Sequence, residues 1–464
     1  MAAVAESVAP VALVRGGIDP SRIRVLPRGD FLLVMDRVSG RWITIDAKLE
    51  PLLRLVAAPP ASVPPGLRPR LEQLRRLLLE RSIGVIGSER RFDALTTIIV
   101  KLTNACNLAC AYCYDYERSE KARRIELANA VEAIRQGLAL CEGKLWVILH
   151  GGEPMLVWPL IEELVARGEA LARECGKEIC FSGQSNMTRL TERIVRFSIE
   201  HGIDWGVSAD GPAEIHDVFR IRHDGRPSYD LFQRALEQFP RFVRSCGVMS
   251  TITQANDSRI AQVAAYFRDL GMASWDWTLF QPIGRGRAEA HRFEPDGERL
   301  RAAWLSLFKA VEAGEFKGFR VLPVTKYLDN FLTGPGRNMC MRPECGAGRD
   351  LLSISADGAI EACDCIDPTG PLSGLGHIAD TSLAQARQSP VAQAIRSRDV
   401  QAGPCGDCVW YGVCGGTCLA HASSLNEVWE QSCLMSQLAF DSISASLVRG
   451  DALLDYLCSL EQAP

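Results

Sequence analysis

The sequence predicts an α/β fold: a partial (β/α)6 barrel of the TIM type, with a small hairpin-and-helix unit before it and a cysteine-rich domain after it. Three observations predict this. From Leu95 onward, short β-branched runs alternate with segments of helical periodicity, the pattern of parallel β/α units. Polar and glycine-rich stretches follow those runs directly, at the rim where β/α barrels carry their functional groups. Toward the C-terminus, cysteines recur at metal-ligand spacings. The domain boundaries read from this pattern are 1–92, 93–325 and 326–464.

Taken in order, the first unit shows FLLVM (31–35), a turn through Ser39-Gly40 and RWITI (41–45), which reads as a hairpin. A helix over 49–56 follows, then the proline-rich bridge AAPPASVPPGLRPR, then a second helix with Leu71, Leu74 and Leu78 on one face. In the barrel, strands are expected at 96–102, 145–149, 178–183, 204–208, 247–253 and 274–280. Helices fall between them. The first carries Leu127, Val131, Ile134, Leu138 and Cys141 on one apolar face, and a further helical segment covers 300–315.

Composition excludes several classes of function. The chain has 464 residues, 47% of them hydrophobic, enough for a sizeable core and by length for about three domains. A net charge of −4 with no dense Lys/Arg stripe argues against nucleic acid as a partner. No run reaches membrane-spanning length, and the opening MAAVAESVAPVALVRGG lacks the basic start of a secretory signal and carries Glu6. The 17 cysteines gather mostly in two clusters with ligand spacing, which points to a reducing, cytoplasmic setting.

The first cluster lies in KLTNACNLACAYCYDY (101–116), where Cys106, Cys110 and Cys113 stand at C-x3-C-x2-C with Tyr112 before the third thiol. Cubane iron–sulfur clusters normally take four thiolates, so three leave one iron open. A zinc site lacking one ligand is the alternative. After the second strand comes HGGEP, in which Gly151 and Gly152 let backbone approach a ligand and Glu153 can accept from an ammonium. After the third comes Gln184-Ser185-Asn186, and after the fourth GVSADGP with Ser208 and Asp210. Arg220, a little further on, can hold a carboxylate in a bidentate fork.

In their order and placement these motifs resemble the radical S-adenosylmethionine (SAM) superfamily. The resemblance implies a radical SAM barrel whose [4Fe-4S] cluster sits on Cys106, Cys110 and Cys113, with the open iron chelating SAM and passing it one electron. It implies cofactor contacts from Tyr112, Gly151, Gly152, Glu153, Asn186, Ser208 and Arg220, and an electron donor of the flavodoxin or ferredoxin type.

The second cluster opens with NMCMRPECGAG, continues as Cys345-x12-Gly358-x4-Cys363, and ends with Cys405-x2-Cys408-x5-Cys414-x3-Cys418 and Cys433. This spacing resembles the SPASM domain of radical SAM maturases, which implies two auxiliary [4Fe-4S] clusters. Carried over, Cys405, Cys408, Cys414 and Cys433 hold one, and Cys345, Cys363 and Cys418 the other. The fourth ligand of the latter is open between Cys340, Cys365 and a site left for substrate; a zinc ribbon is the alternative to iron. In anaerobic sulfatase maturases, which share this pattern, an aspartate at the place of Asp364 takes the proton lost by substrate. The alternative is a carboxylate bonded to loop amides. Cys141, Cys175, Cys180, Cys246 and Cys458 lack ligand spacing and read as small buried hydrophobes.

The N-terminal hairpin and helices resemble the winged-helix peptide-recognition element of enzymes that modify ribosomal peptides, where the precursor's leader adds a strand to the sheet edge. A packing or dimerising cap is the alternative. The reading as a whole is an enzyme that takes a hydrogen from a ribosomally made precursor peptide and closes a thioether or carbon–carbon cross-link. Its rivals are a formylglycine-forming sulfatase maturase and a non-catalytic, zinc-bound peptide adaptor.

Overall fold

The structure, a computed structural model, describes residues 17–87, 92–114, 122–336, 338–343, 345–421 and 424–461. The start of the chain and Tyr116 of the first cysteine stretch lie outside the described residues. The chain divides into two compact units: one runs to Arg90 and takes in Cys408–Val413, the other comprises Arg91–Asp407 and Cys414–Pro464.

In the first unit, β1 (Ile23–Arg28), β2 (Phe31–Asp36) and β3 (Trp42–Asp46) form an antiparallel meander in that order. The hairpin of β2 and β3 was legible; β1 was not, because Pro27 and two arginines hide its alternation, and proline is tolerated there only because β1 is an edge. The helix Arg68–Glu80 lays Leu71, Leu74 and Leu78 onto Leu32, Val34, Ile43 and Ile45. Each such leucine contributes about 1.5–3 kcal/mol on burial. The helix expected over 49–56 shortens to Glu50–Leu53, since the chain ahead enters the proline-rich bridge. Asp36, fully buried, pairs with Arg22 at 3.1 Å and accepts from Ser39 N–H and Gly84 N–H, both at 2.9 Å. One carboxylate thereby ties the sheet to the chain beyond the second helix.

The second unit is built on six parallel strands in sequence order: β4 (Thr97–Thr103), β5 (Lys144–Gly151), β6 (Glu178–Ser185), β7 (Asp204–Ser208), β8 (Gly247–Ile252) and β9 (Ser274–Leu279). Helices Leu127–Leu140, Trp158–Cys175, Glu192–Glu200, Tyr229–Gln238 and Ile260–Asp269 cross between them. All seven residues of β4 are buried, as expected for a strand covered on both faces. Its pairing with β5 slips between Lys101 and Thr103, an irregularity that redirects the chain into the cysteine loop.

The sheet does not stop at the six strands. A two-residue β10 (Arg320–Val321) adds beyond β9, and on the other side β11 (Leu351–Ile354) runs parallel to β4, followed by β12 (Ala359–Glu361) and β13 (Gly376–His377). The segment read as a separate domain from 326 therefore shares its sheet with the barrel. As the first barrel strand, β4 has no earlier β/α neighbour, and Asp350 O already accepts from Thr96 and Thr97 N–H beside it.

Two helices, Glu430–Arg449 and Ala452–Glu461, were not foreseen. The first packs Phe440 edge-on against Tyr327 and sets Ser442 against the Trp304 indole. Among the cysteines read as buried hydrophobes, Cys141 and Cys246 are buried and Cys180 is intermediate, but Cys175 and Cys458 are exposed. Cys175 ends its helix just before the left-handed Gly176, and Cys458 lies off the Leu453/Tyr456 face of its own.

Candidate functional site

Cys106, Cys110 and Cys113 sit half-buried on the loop leaving β4. Its main chain is tied down from outside. Ala109 N–H donates to Ile221 O at 2.7 Å, Ala111 N–H to Phe219 O at 2.8 Å, and Arg285 reaches Cys113 O through its N–H and Cys110 O through Nη1, both at 3.2 Å. What the loop offers beyond its backbone is sulfur. Burial pushes the Cys106 thiol well up, with the Glu153 carboxylate adding to it, and burial does the same at Cys110 against the pull of Arg220. A bound metal cation reverses that balance and draws out the thiolates.

The Gly151-Gly152-Glu153 turn leaves β5 against this loop. A Cβ on Gly152 would stand 2.2 Å from Ala105 O, and one on Gly151, whose φ is +126°, 2.3 Å from Thr103 O, so the two backbones touch and only glycine fits. Glu153, 1% exposed, accepts from Met155 N–H at 3.0 Å, Ser185 O–H at 2.8 Å and Asn186 N–H at 2.9 Å. Burial raises its pKa and those donors oppose the rise. Three of roughly four acceptor sites on the carboxylate are thus engaged within the chain. The Asn186 amide is likewise bound internally, to Asn107 at 3.0 Å and Thr188, while Ser208 Oγ accepts from Gln184 Nε2 at 2.8 Å.

Behind the loop, Tyr112 is buried among Phe219, Phe280 and Phe293. Its hydroxyl donates to Asp210 Oδ2 at 2.5 Å, and Arg220 Nε meets the same carboxylate at 3.0 Å with its guanidinium 5.6 Å from the Tyr112 ring centre. Asp210 also accepts from Thr251 N–H at 3.0 Å. Two residues expected at the cofactor from separate motifs, Tyr112 and Arg220, thus meet on Asp210, while Ser208 bonds instead to Gln184.

The second cluster assembles around the turn after β12. The ligand atoms of Cys363, Asp364 and Cys365 all lie within 4.8 Å of one another. Cys365 and Cys345 are charge neighbours of both Cys340 and Cys418. Although Cys340 is exposed as a residue, the protein packed around its sulfur, together with those thiols, pushes it up to about 12. Thr417, just ahead of Cys418, holds a left-handed φ of 66°, and Arg398 spans the carbonyls of Gly416, Thr417, Leu425 and Glu427 at 2.8–3.0 Å. Of the remaining set, Cys405 is buried, Cys414 closes the short helix Tyr411–Cys414, Cys433 accepts from Gln437 Nε2 at 3.4 Å, and Cys408 belongs to the other compact unit.

Asp364, 8% exposed, joins the two thiol groups. Tyr114, next to Cys113, donates to its Oδ2 at 3.0 Å, the Cys363 thiol lies 3.5 Å from Oδ1, and Lys101 Nζ reaches its carbonyl at 3.3 Å. His150 Nε2 stands 3.5 Å from the Tyr114 hydroxyl, and Lys101 pairs with Glu361 at 3.5 Å. Burial alone would raise the Asp364 pKa, but the charges of His150 and Lys101 and the bonds from Tyr114 and Cys363 bring it below the usual value. Sequence reasoning missed Lys101, Tyr114, His150, Arg285 and Arg398. A lysine inside an apolar strand and a histidine directly before the double glycine were the available signals.

The donor sets fit iron–sulfur clusters, being soft thiols gathered from short loops. Residues 100–267 match the family model of the radical SAM superfamily, and 345–409 match an iron–sulfur cluster-binding domain, SPASM. The chain is 29% identical over 190 residues to the uncharacterised protein MJ0907 of Methanocaldococcus jannaschii, a match spanning 41% of this chain and 64% of that protein. It is 26% identical over 339 residues to mycofactocin maturase MftC of Mycolicibacterium smegmatis (72% of this chain, 80% of that one). With the serine-type anaerobic sulfatase-maturating enzyme of Klebsiella pneumoniae it shares 23% over 348 residues (73% and 85%). Among solved structures, anSMEcpe with bound AdoMet superposes with a TM-score of 0.67 at 20% identity, covering 77% of this chain and 99% of that one. Streptococcus suis SuiB bound to precursor peptide SuiA gives 0.53 at 13%, covering 90% and 99%. The chain carries a radical SAM domain over residues 100–267 and a SPASM iron–sulfur cluster-binding domain over 345–409, those of a radical SAM enzyme that uses S-adenosylmethionine and iron–sulfur clusters.

Proposed function

We propose that this enzyme matures a ribosomally made precursor peptide by closing an intramolecular cross-link, thioether or carbon–carbon. The observation that carries the reading is Asp364, a buried carboxylate bonded both to the residue after Cys113 and to the thiol of Cys363. Bound SAM supplies the 5′-deoxyadenosyl radical that takes a substrate hydrogen atom. Cys106, Cys110 and Cys113 would hold the cluster that cleaves SAM, and Gly151, Gly152, Glu153, Asn186, Ser208 and Arg220 lie on the turns that would receive it. Closing the bond then costs the peptide one further electron and one proton. Asp364 stands where that proton is released, and Tyr114 and Lys101 hold it in place. The SPASM thiols beside it would hold the iron–sulfur cluster that could accept the electron.

A formylglycine-forming reaction is the second reading, favoured by the match to sulfatase-maturating enzymes across 85% of the Klebsiella protein. Fragmentation separates the two. A cross-link suppresses backbone fragments between the joined residues, whereas an aldehyde leaves the ladder complete and reacts with hydrazine. We expect suppressed fragments, no hydrazone, and deuterium carried from a labelled substrate carbon into 5′-deoxyadenosine. A complete ladder with hydrazine reactivity moves the enzyme to the second reading. Asp364→Asn is expected to slow product formation more than SAM cleavage; equal slowing of both would remove the proton-acceptor role.

The first unit serves as the leader-recognition element, with β3 as the sheet edge that receives the leader as an added strand. The likeness to SuiB, the structure with a precursor peptide, covers 90% of the chain against 77% for anSMEcpe, which supports a counterpart for this unit in a peptide-binding relative. Precursor with its leader should slow amide exchange across Trp42–Asp46, and precursor without it should not. Identical exchange in both cases would leave the unit as a packing cap. Among the described residues no helix is long and apolar enough to cross a membrane; the reading itself is of a cytoplasmic enzyme served by a flavodoxin- or ferredoxin-type donor.

A further inference from the structure

The thiol group beside Asp364 has one member more than a four-iron cubane takes. Cys340, Cys345 and Cys418 come from separate stretches, while Cys363 and Cys365 flank a single residue on one turn, closed by Ile366 N–H on Cys363 O at 3.3 Å. Both are half-buried, and their sulfurs lie within 4.8 Å of each other. The charge of Cys365 is felt at Cys340, Cys363 and Cys418, and Cys363 also feels Cys340 and the Asp364 carboxylate. Two sulfurs this close on one turn reach the same metal position, and only one of them is needed there.

We propose that Cys363 and Cys365 form an exchange pair serving one iron of this auxiliary cluster, either thiolate completing the set of Cys340, Cys345 and Cys418 while the other waits as a thiol beside Asp364. The inference rests on the SPASM cluster reading. In the exchange one Fe–S bond breaks as the other forms, and the proton of the entering thiol passes to the departing thiolate, so charge and electron count are unchanged. A cluster held on these thiols would thereby have its replaceable ligand next to Asp364.

Iron content of the anaerobically reconstituted full-length protein tests this. Cys363→Ala and Cys365→Ala should each keep about twelve irons, whereas the double variant and Cys345→Ala should each lose about four. Loss of about four from one single variant and none from the other would mean a fixed ligand and overturn the exchange. Full iron in Cys345→Ala and in the double variant would overturn the cluster reading itself. A second measurement needs no variant: brief alkylation of the native holoprotein with iodoacetamide, with metal-free protein as the accessibility control. One label per pair, distributed over both positions, is expected. A label confined to one position, on both, or on neither while the metal-free control labels both, overturns the pair.

Discussion

Replacing Cys106, Cys110 and Cys113 together by Ala is expected to abolish SAM cleavage and to remove about four of about twelve irons, since each cubane holds four. The loss is confined to one cluster because the thiols around Asp364 come from other turns and keep their own neighbours. The backbone of the cysteine loop should persist, as its amides and carbonyls are bonded to Ile221, Phe219 and Arg285 rather than to sulfur. 5′-Deoxyadenosine formed under a strong reductant and total iron are the two readouts. SAM cleavage that survives the triple replacement would place the chemistry elsewhere. Zinc as the dominant metal in anaerobically purified protein would remove the iron–sulfur assignment of the C-terminal cysteines.

The second large effect is expected from Asp210→Ala. The Asp210 carboxylate neutralises Arg220, 8% exposed, accepts from the Tyr112 hydroxyl, and holds Thr251 N–H. Its removal leaves a buried guanidinium without its counter-charge, a loss of about 3–5 kcal/mol. Tyr112→Phe deletes only one bond to a charged group, about 1.5–3 kcal/mol, and so should lie well above Asp210→Ala in a denaturant melt. Because Tyr112, which Asp210 holds, lies between the ligands Cys110 and Cys113, the destabilised Asp210 variant should lose the first cluster at temperatures where Tyr112→Phe still holds it. Equal midpoints for Asp210→Ala and the parent protein would show that Arg220 finds compensation from solvent.

Much of the architecture could be read from the chain because each barrel element states its own period. The strand 204–208 is observed with those bounds, and the other five barrel strands differ only at their ends, where glycine turns and rim loops blur the pattern. The cysteine spacings likewise announce themselves, since short loops must present several sulfurs to one metal. The weak places are physical too. Pro27 disguised β1, and the helix Glu430–Arg449 has apolar and small residues spread around it, so no stripe marks its buried side.

The amino-acid order carries the inventory: three thiols before a double-glycine turn, a second set of cysteines, and the parallel strands that bring the first set to the rim. Which partners those residues take is a matter of three-dimensional packing. Arg220 meets Asp210, Glu153 is caged by its own neighbours, β11 extends the barrel sheet, and Asp364 joins Tyr114 to Cys363 across 250 residues of sequence. Periodicity reports which side of an element is buried. A hydrogen bond between distant side chains depends on how the strands pack, and no local pattern records it.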